Sequence, residues 1–277
     1  MDGVREKMSI KLACSNLSWK IEDTDKVLTL LKEKFFNGIE LAPSKLFGNF
    51  ELKKDHIAHI ERIKRIYNLP TVSIQSMWFG LTHNIYRSKE DRFILLKRTK
   101  RLVVFADKIG CRNIVFGCPK NRNIPENMFN SSKKIAEEIA LDFFYKIGMY
   151  CKKHSTILSL EANPNIYGTN FLNTTLDCID FTNKLSISSI KTNLDFGTVI
   201  YNQEKLNEIE PNLKKINHVH ISEPYLKLIK KSEKHKELFK ILQKNNFDGF
   251  VSIEMNNQSY QDLIEVINYV QTISKDI

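Results

Sequence analysis

Four short apolar segments in the second half of the chain each end on a side chain that can bind a metal ion. These ends are Glu161, Asp195, His220 and Glu254, and successive ends are 34, 25 and 34 residues apart. Each interval has about the length of one strand and one helix. The strands of a closed parallel barrel converge at one rim, so such a repeat brings the four side chains together. The spacing therefore predicts a metal site at the rim of a barrel.

The same alternation of strand and helix extends over the whole chain. The predicted strands are residues 10–14, 39–41, 71–74, 113–116, 156–160, 190–194, 216–219 and 250–253. The first predicted helix begins at the cap formed by residues 23–25 and ends at Gly38. The other predicted helices are residues 51–67, 89–109, 131–154, 172–184, 204–209, 233–245 and 260–272.

Eight strict alternations favour a parallel sheet that closes into a (β/α)8 TIM barrel, an α/β fold. No linker or low-complexity tract interrupts the pattern. We therefore expect residues 1–277 to form one domain, with a core of about residues 10–274.

Composition limits the cellular compartment and the binding partners that are expected for this protein. No apolar run approaches the roughly 20 residues of a membrane span, and no secretory signal follows the charged start of the chain. Five cysteines without paired spacing favour reduced thiols in a cytoplasmic protein. The net charge of +10 comes from lysines scattered over predicted helix faces, which favours solvated surfaces over a nucleic-acid site. The alternative interpretation is an anionic substrate, such as a sugar phosphate.

Three carboxylates and one imidazole form a hard, oxygen-rich ligand set. Such a set favours one divalent cation, with Mn²⁺ as the first choice and Mg²⁺, Co²⁺ or Zn²⁺ as alternatives. The metal would polarise the carbonyl of a chelated sugar and stabilise an enediolate. Glu161 and Glu254 lie three strands apart, so they suit proton removal and return on opposite faces. This chemistry predicts an isomerase or epimerase of a sugar or sugar phosphate.

The chain resembles the xylose-isomerase-like barrel superfamily, specifically its sugar (phosphate) isomerase/epimerase branch. The resemblance rests on residues 38–40, Glu161, 194–197, 218–220 and 252–254. It implies that Glu161, Asp195, His220 and Glu254 bind the metal and that the two glutamates exchange protons. It also implies a possible homodimer. The family often has a substrate-binding histidine three residues after the aspartate, where this chain has Thr198. The resemblance therefore implies a substrate different from those of the known ketose epimerases.

Loop residues supply further candidate contacts to substrate. The predicted substrate-binding residues are Trp78, Lys120, Arg122, Asn163, Tyr167 and Glu223. The tryptophan can stack on a sugar ring, and the two cations can grip an anionic group. The alternatives are structural packing for the tryptophan, solvated charges for Lys120, Arg122 and Glu223, and a turn cap for Asn163.

Three other polar residues lie near the predicted rim. Glu40 ends the second predicted strand, and we expect it to bond neighbouring side chains rather than substrate. His218 points to the same face as His220, and we expect a hydrogen-bonded core histidine, with a second ligand deeper in the barrel as the alternative. His235 begins a predicted helix, where a rim position and a surface position are both open.

Three other functions remain open from the sequence. A metal-dependent dehydratase of an inosose or keto-sugar would use the same ligands. A barrel that binds a sugar without turnover would also retain them. An apurinic endonuclease of this superfamily needs several extra histidines, and His83 is the only candidate near the ends of the third and fourth predicted strands. The nuclease is therefore the weakest of the three.

Overall fold

A closed barrel of eight parallel strands forms the centre of the protein. The computed structural model describes residues 9–48 and 53–275. The strands are β1 Lys11–Ser15, β2 Gly38–Leu41, β3 Thr71–Ile74, β4 Asn113–Phe116, β5 Ile157–Glu161, β6 Ile190–Asp195, β7 Ile216–Ile221 and β8 Phe250–Ile253. They pair in chain order, and β1 closes the barrel by pairing with β8, Ala13 opposite Ser252. The predicted (β/α)8 barrel is confirmed.

Helices connect the strands and form an outer layer. They are α1 Thr24–Glu33, α2 Pro43–Phe47, α3 Lys54–Tyr67, α4 Lys89–Lys108, α5 Glu126–Ser131, α6 Lys133–Lys153, α7 Thr175–Leu185, α8 Phe196–Asn202, α9 Leu206–Ile209, α10 Glu233–Lys244 and α11 Tyr260–Lys275. The short helices α2, α5 and α8 were not predicted. Gly38 lies in β2 and does not end the first helix, because its backbone packs against Pro70 and Val72 of the next unit. Within the described residues, no helix is long and apolar enough to cross a membrane.

Polar side chains fill much of the barrel interior. Asn113 on β4 donates to Ser73 on β3 at 2.9 Å and accepts from Ser159 on β5 at 2.6 Å. Asn217 on β7 donates to the same Asn113 at 2.9 Å. Buried polar groups are tolerated when they are hydrogen-bonded to one another. This polar layer links strands on both sides of the barrel beneath the carboxyl rim.

Apolar contacts between the strands and helices form the main core. On α4, for example, Leu95, Leu102 and Val103 are fully buried against the barrel. Strands such as β2 and β4 are buried along their whole length, as expected where one face meets the interior and the other meets helices. The rigid wall places the residues at the strand ends in fixed positions.

Candidate metal centre

Three of the four predicted ligands meet at the carboxyl rim. Glu161 ends β5, His220 lies near the end of β7, and Glu254 directly follows β8. The Nδ1 atom of His220 is 3.0 Å from Oε2 of Glu161 and 3.1 Å from Oε2 of Glu254. One ligand atom from each residue lies within 4.8 Å of the others. Two carboxylate oxygens and one imidazole nitrogen that converge in this way fit a divalent cation.

The surroundings of Glu161 and Glu254 shift the pKa values of these two residues in opposite directions. Burial acts to raise the pKa of Glu161, but the hydrogen bond to His220 and its charge hold that pKa below its ordinary value. Burial has the larger effect on Glu254, so its pKa is raised despite the attraction of His220. Burial lowers the pKa of His220, but Glu254 and Glu40 outweigh it and hold the pKa well above its usual range. One carboxylate therefore favours the ionised form and the other retains a proton more readily.

Glu40 on β2 contacts His220 on the side of the imidazole opposite to Glu161 and Glu254. Oε2 of Glu40 is 3.0 Å from Nε2 of His220, while Oε1 accepts a 2.7 Å hydrogen bond from Ser73. Gln75 donates to Oε2 at 3.2 Å. Burial would raise the pKa of Glu40, but His220 and His218 lower it to about 2. An anionic partner on Nε2 fixes the proton there and leaves Nδ1 facing Glu161 and Glu254.

His218 and His235 are core residues. His218 is almost fully buried, lies 3.1 Å from the Ser252 hydroxyl, and has its pKa lowered to about 4 by burial. This agrees with the expected hydrogen-bonded core histidine. His235 is fully buried with its Nδ1 3.2 Å from the Tyr269 hydroxyl. Neither of its two expected positions, at the rim or at the surface, is correct, because the apolar face of α10 carries it inward.

Asp195 lies beside the group of three rather than within it. Its carboxylate caps α8: Oδ2 accepts the backbone N–H of Thr198 at 2.8 Å, and Oδ1 accepts the Ser222 hydroxyl. The Thr198 hydroxyl is also 2.8 Å from Oδ2. Burial and the charges of Glu161 and Glu254 raise the pKa of Asp195 to about 7. Thr198, at the position where the family that the sequence resembles often has a histidine, therefore helps to position Asp195.

A cavity of about 210 Å³ opens over these residues. Glu161, Asp195 and Glu254 line it together with polar and apolar side chains from other loops. Those others are Leu17, Gln75, Ser76, Val115, Gly117, Cys118, Pro119, Asn163, Tyr167 and Leu226. No lysine or arginine from residues 9–48 or 53–275 lines this cavity.

Two of the predicted substrate contacts lie at this cavity. Asn163 lines it and donates to Oε1 of Glu161 at 3.0 Å. Tyr167 also lines it, and its hydroxyl accepts the backbone N–H of Tyr225 at 2.6 Å. Burial raises the pKa of Tyr167 to about 12, so the phenol keeps its proton. Both residues line the cavity, so their predicted contacts to substrate stay predictions.

Trp78 does not reach the cavity, so its predicted stacking on a sugar is wrong. The indole is 1% exposed and donates to the Thr99 hydroxyl at 3.0 Å. Its ring packs edge-on against Phe116, with 4.8 Å between centroids, and against Phe143. The loop after β3 folds the side chain between the barrel and its helices, because burial of a large aromatic surface is favourable there.

The predicted role of Arg122 as a cation at the rim is also wrong, because the residue is buried. Its side chain is fully buried, with the guanidinium 5.7 Å from the ring centre of Phe116. Nη2 donates to Oδ1 of Asn163 at 3.0 Å and to the carbonyl of Leu172 at 3.3 Å. Arg122 therefore supports Asn163 from behind, and through it Glu161, and does not grip an anion at the rim.

Lys120 and Glu223 lie outside the cavity lining. Lys120 is exposed, in the same turn as Arg122. Glu223 is partly exposed and accepts the backbone N–H of Lys230 at 3.4 Å. The structure does not bring either residue to the site, so their predicted substrate contacts are not supported.

Several residues of the site were missed from the sequence. Asn193 donates to Oε2 of Glu161 at 2.8 Å and lies 3.2 Å from Nδ1 of His220. It stands two residues before Asp195 on β6, so strand alternation was a usable signal. A side chain at Gly117 would begin 2.8 Å from Oε1 of Glu161, which explains the glycine. Gln75 directly follows β3, and nothing in its spacing indicated a bond to Glu40.

This barrel belongs to a known family of proteins. A model of the xylose isomerase-like TIM barrel family matches residues 28–271. The chain belongs to this family. The resemblance noted in the sequence is thereby confirmed at the level of the family. A search of curated proteins finds no match for this xylose isomerase-like barrel.

Solved structures share the fold at low sequence identity. The 3-keto-D-glucoside 4-epimerase YcjR from E. coli has a TM-score of 0.77 and 18% identity, over 95% of this chain and 98% of that one. D-psicose 3-epimerase from Clostridium cellulolyticum H10 has a TM-score of 0.76 and 13% identity, over 95% and 96%. A family 2 AP endonuclease from Brucella melitensis has a TM-score of 0.71 and 18% identity, over 92% and 96%. These likenesses concern the fold.

Proposed function

We propose that this xylose isomerase-like barrel is a divalent-metal-dependent isomerase or epimerase of a sugar. The observation that carries the proposal is the pair Glu161 and Glu254, which flank Nδ1 of His220 at 3.0 and 3.1 Å below a small cavity. Two carboxylates with oppositely shifted pKa values suit removal of a proton on one side and its return on the other. The names of two structural neighbours, both sugar epimerases, support the same class.

Glu161, His220 and Glu254 would hold the cation, with Asp195 beside them as the fourth ligand, and Mn²⁺ is our first choice. Their two carboxylate oxygens and one nitrogen within 4.8 Å fit such an ion. When bound, the cation would polarise a carbonyl oxygen of the sugar and so acidify the neighbouring C–H.

Glu161 is the glutamate that would act first as the general base. Its lowered pKa keeps it ionised, so it can accept the proton from the carbon beside the carbonyl. Asn163 and Asn193 donate to its two oxygens and hold the carboxylate in one orientation. Glu254, with its raised pKa, can deliver a proton to the opposite face. Proton return on the opposite face inverts that carbon, which is epimerisation.

We further propose that the substrate is an unphosphorylated monosaccharide. Three carboxylates line the cavity, and no cation from the described ranges does so. A phosphate would therefore enter without a charged partner from the protein, since Arg122 is buried behind Asn163 and Lys120 lies outside. At about 210 Å³ the cavity is smaller than a typical drug-sized pocket, which suits one sugar ring or open chain.

Deuterium exchange tests the proposal. The Mn²⁺-loaded protein would be incubated in deuterated water with a panel of ketoses, aldoses and their phosphates, and the sugars examined by mass spectrometry and NMR. We expect one deuterium to enter a neutral sugar at the inverted or isomerised carbon, and Glu161→Gln and Glu254→Gln to abolish it. A loss of water from the sugar would support the dehydratase. Sugar binding without exchange would leave a barrel that only binds, and nicking of abasic DNA would favour the nuclease.

The five cysteines are unpaired in the structure, and all but Cys118 are fully buried. These free thiols support a proposed cytoplasmic location, where thiols stay reduced.

A further inference from the structure

Most of the net positive charge lies on one side of the barrel. The neighbouring helices α3, α4 and α6 carry sixteen lysines and arginines but eight aspartates and glutamates, a balance of +8 against +10 for the whole chain. These helices follow β2, β3 and β4, so they stand side by side in the outer layer. The rest of the chain is close to neutral by comparison. We call this side of the protein the cationic face.

Helix α4 buries one stripe of residues against the barrel and carries a second stripe that faces away from it. The stripe combines apolar and cationic side chains at spacings of three and four: Phe93, Leu96, Lys97, Lys100, Arg101, Val104 and Lys108. Phe93 is 67% exposed. A surface helix ordinarily shows polar residues on its outer side, and burial of its apolar stripe accounts for its stability. Phe93 is therefore largely free of this packing, whereas Leu96 is partly buried against the core.

A groove of about 540 Å³ follows this stripe along the outer surface. Phe105 of α4, Ile57 of α3 and Tyr150 of α6 complete its lining, and Nζ of Lys100 lies 5.2 Å from the ring centre of Tyr150. From Phe93 to Lys108 the stripe extends over about 22 Å at the helical rise of 1.5 Å per residue. The groove shares no residue with the cavity over the candidate metal centre.

The cations along the groove lack acidic partners within the described part of the chain. Lys97, Arg101 and Lys108 form no ion pair there, in contrast to surface lysines such as Lys146 and Lys184, which pair with acids. An apolar floor edged by uncompensated positive charge is complementary to a surface with the opposite pattern. The occupant should therefore be apolar along one line and acidic around it.

We propose that this groove docks an acidic amphipathic helix of a partner protein. An apolar stripe at i, i+3, i+4 and i+7 would lie on Phe93, Leu96 and Val104, and flanking Asp or Glu residues would pair with the lysines and arginines. Two cationic faces repel each other, so a second copy does not fit face to face. A flat bilayer would not enter a groove, and a nucleic acid would leave the apolar floor without a partner. The proposal is independent of the sugar chemistry at the rim.

Fluorescence anisotropy with synthetic peptides tests the proposal on the full-length protein. The probe is a labelled 16-residue helix-forming peptide with one leucine stripe and glutamates on its other faces. A second peptide of the same composition has the leucines scattered around the helix. We expect at least tenfold tighter binding of the striped peptide. Phe93→Ser should weaken this binding at least tenfold, while Ile135→Ser, at a residue on α6 that is 51% exposed and outside the groove, should leave it unchanged.

A charge pair gives a second, independent comparison. Lys97→Gln with Arg101→Gln should weaken binding at least tenfold, and Lys133→Gln with Lys134→Gln should not. Equal binding of both peptides, or wild-type binding by the groove variants, would overturn the proposal in favour of non-specific charge attraction. It would also be overturned if phosphatidylserine vesicles or duplex DNA bound with this dependence on the variants while the striped peptide did not bind. Circular dichroism would verify that each variant is folded.

Discussion

Glu40→Gln tests whether the carboxylate next to Nε2 of His220 controls the proposed metal site. Glu40 does not line the cavity over the candidate metal centre, yet its Oε2 lies 3.0 Å from Nε2 of His220. Glutamine has nearly the same shape but no charge, and it brings an NH₂ group. Gln75 donates to Oε2, so the new NH₂ group fits better on the Oε1 side, where the Ser73 hydroxyl can rotate and accept from it. The substitution therefore removes chiefly the anionic partner of the imidazole.

The expected loss can be estimated from similar outer partners of metal-binding histidines. Removal of such a partner typically lowers metal affinity about 10- to 100-fold. This corresponds to about 1.4–2.8 kcal/mol of binding free energy. The measurement is isothermal titration of Mn²⁺ into the metal-free protein at pH 7. The matched control is Glu208→Gln. Glu208 is an exposed residue on α9 that pairs with Lys205 at 3.4 Å, so this variant should bind Mn²⁺ like the wild type.

A folded Glu40→Gln protein with wild-type Mn²⁺ affinity would refute the reasoning. It would mean that the orientation and tautomer of His220 do not depend on the β2 carboxylate. A normal affinity in the control together with a weakened Glu40→Gln variant would support the arrangement of His220 between Glu40 on one side and Glu161 and Glu254 on the other.

Three further outcomes are expected. Gly117→Ala should weaken Mn²⁺ binding several-fold in calorimetry with little change in melting temperature, since its Cβ would lie 2.8 Å from Oε1 of Glu161; unchanged affinity would contradict the close contact. Arg122→Met should lower the free energy of unfolding in urea by about 1–3 kcal/mol, because a carbonyl and an amide oxygen lose a buried donor, whereas Lys120→Met should not. The pKa of Glu40 is about 2 when folded and 4.5 ordinarily, so the unfolded metal-free protein binds more protons and stability should fall from pH 4.5 towards pH 2. Glu40→Gln should flatten that fall in urea titrations at several pH values, and an unchanged slope would contradict the lowered pKa.

The strands were predictable because each is a short apolar run between turn residues. Predicted and observed bounds of β3, β4 and β8 agree, and the other strands differ by one or two residues. Helix α8 was missed because it begins directly after Asp195, whose side chain both ends the strand and caps the helix. Seven residues are too few for a helical pattern of apolar residues to be recognised.

The convergence of the candidate ligands was easier to predict than the packing of the residues around them. Glu161, His220 and Glu254 stand at strand ends, where the barrel alone determines their convergence. Trp78 and Arg122 belong to loops, and only the packing against Phe116 decides that both side chains turn inward. Loop position indicates nearness to the rim but not the direction of a side chain.

The two halves of the barrel contribute different kinds of residues to the rim. All four candidate ligands come from the strands β5 to β8, within residues 157–254. The first half contributes Leu17, Gln75 and Val115 to the cavity wall, and Glu40 reaches His220 across the closure of the barrel. Mutations in the early loops can thus reshape the cavity while the ligand set stays intact. Under the proposed function, a new sugar preference can evolve, or be selected in the laboratory, by exchange of N-terminal loops as long as Glu40 and Gly117 are kept.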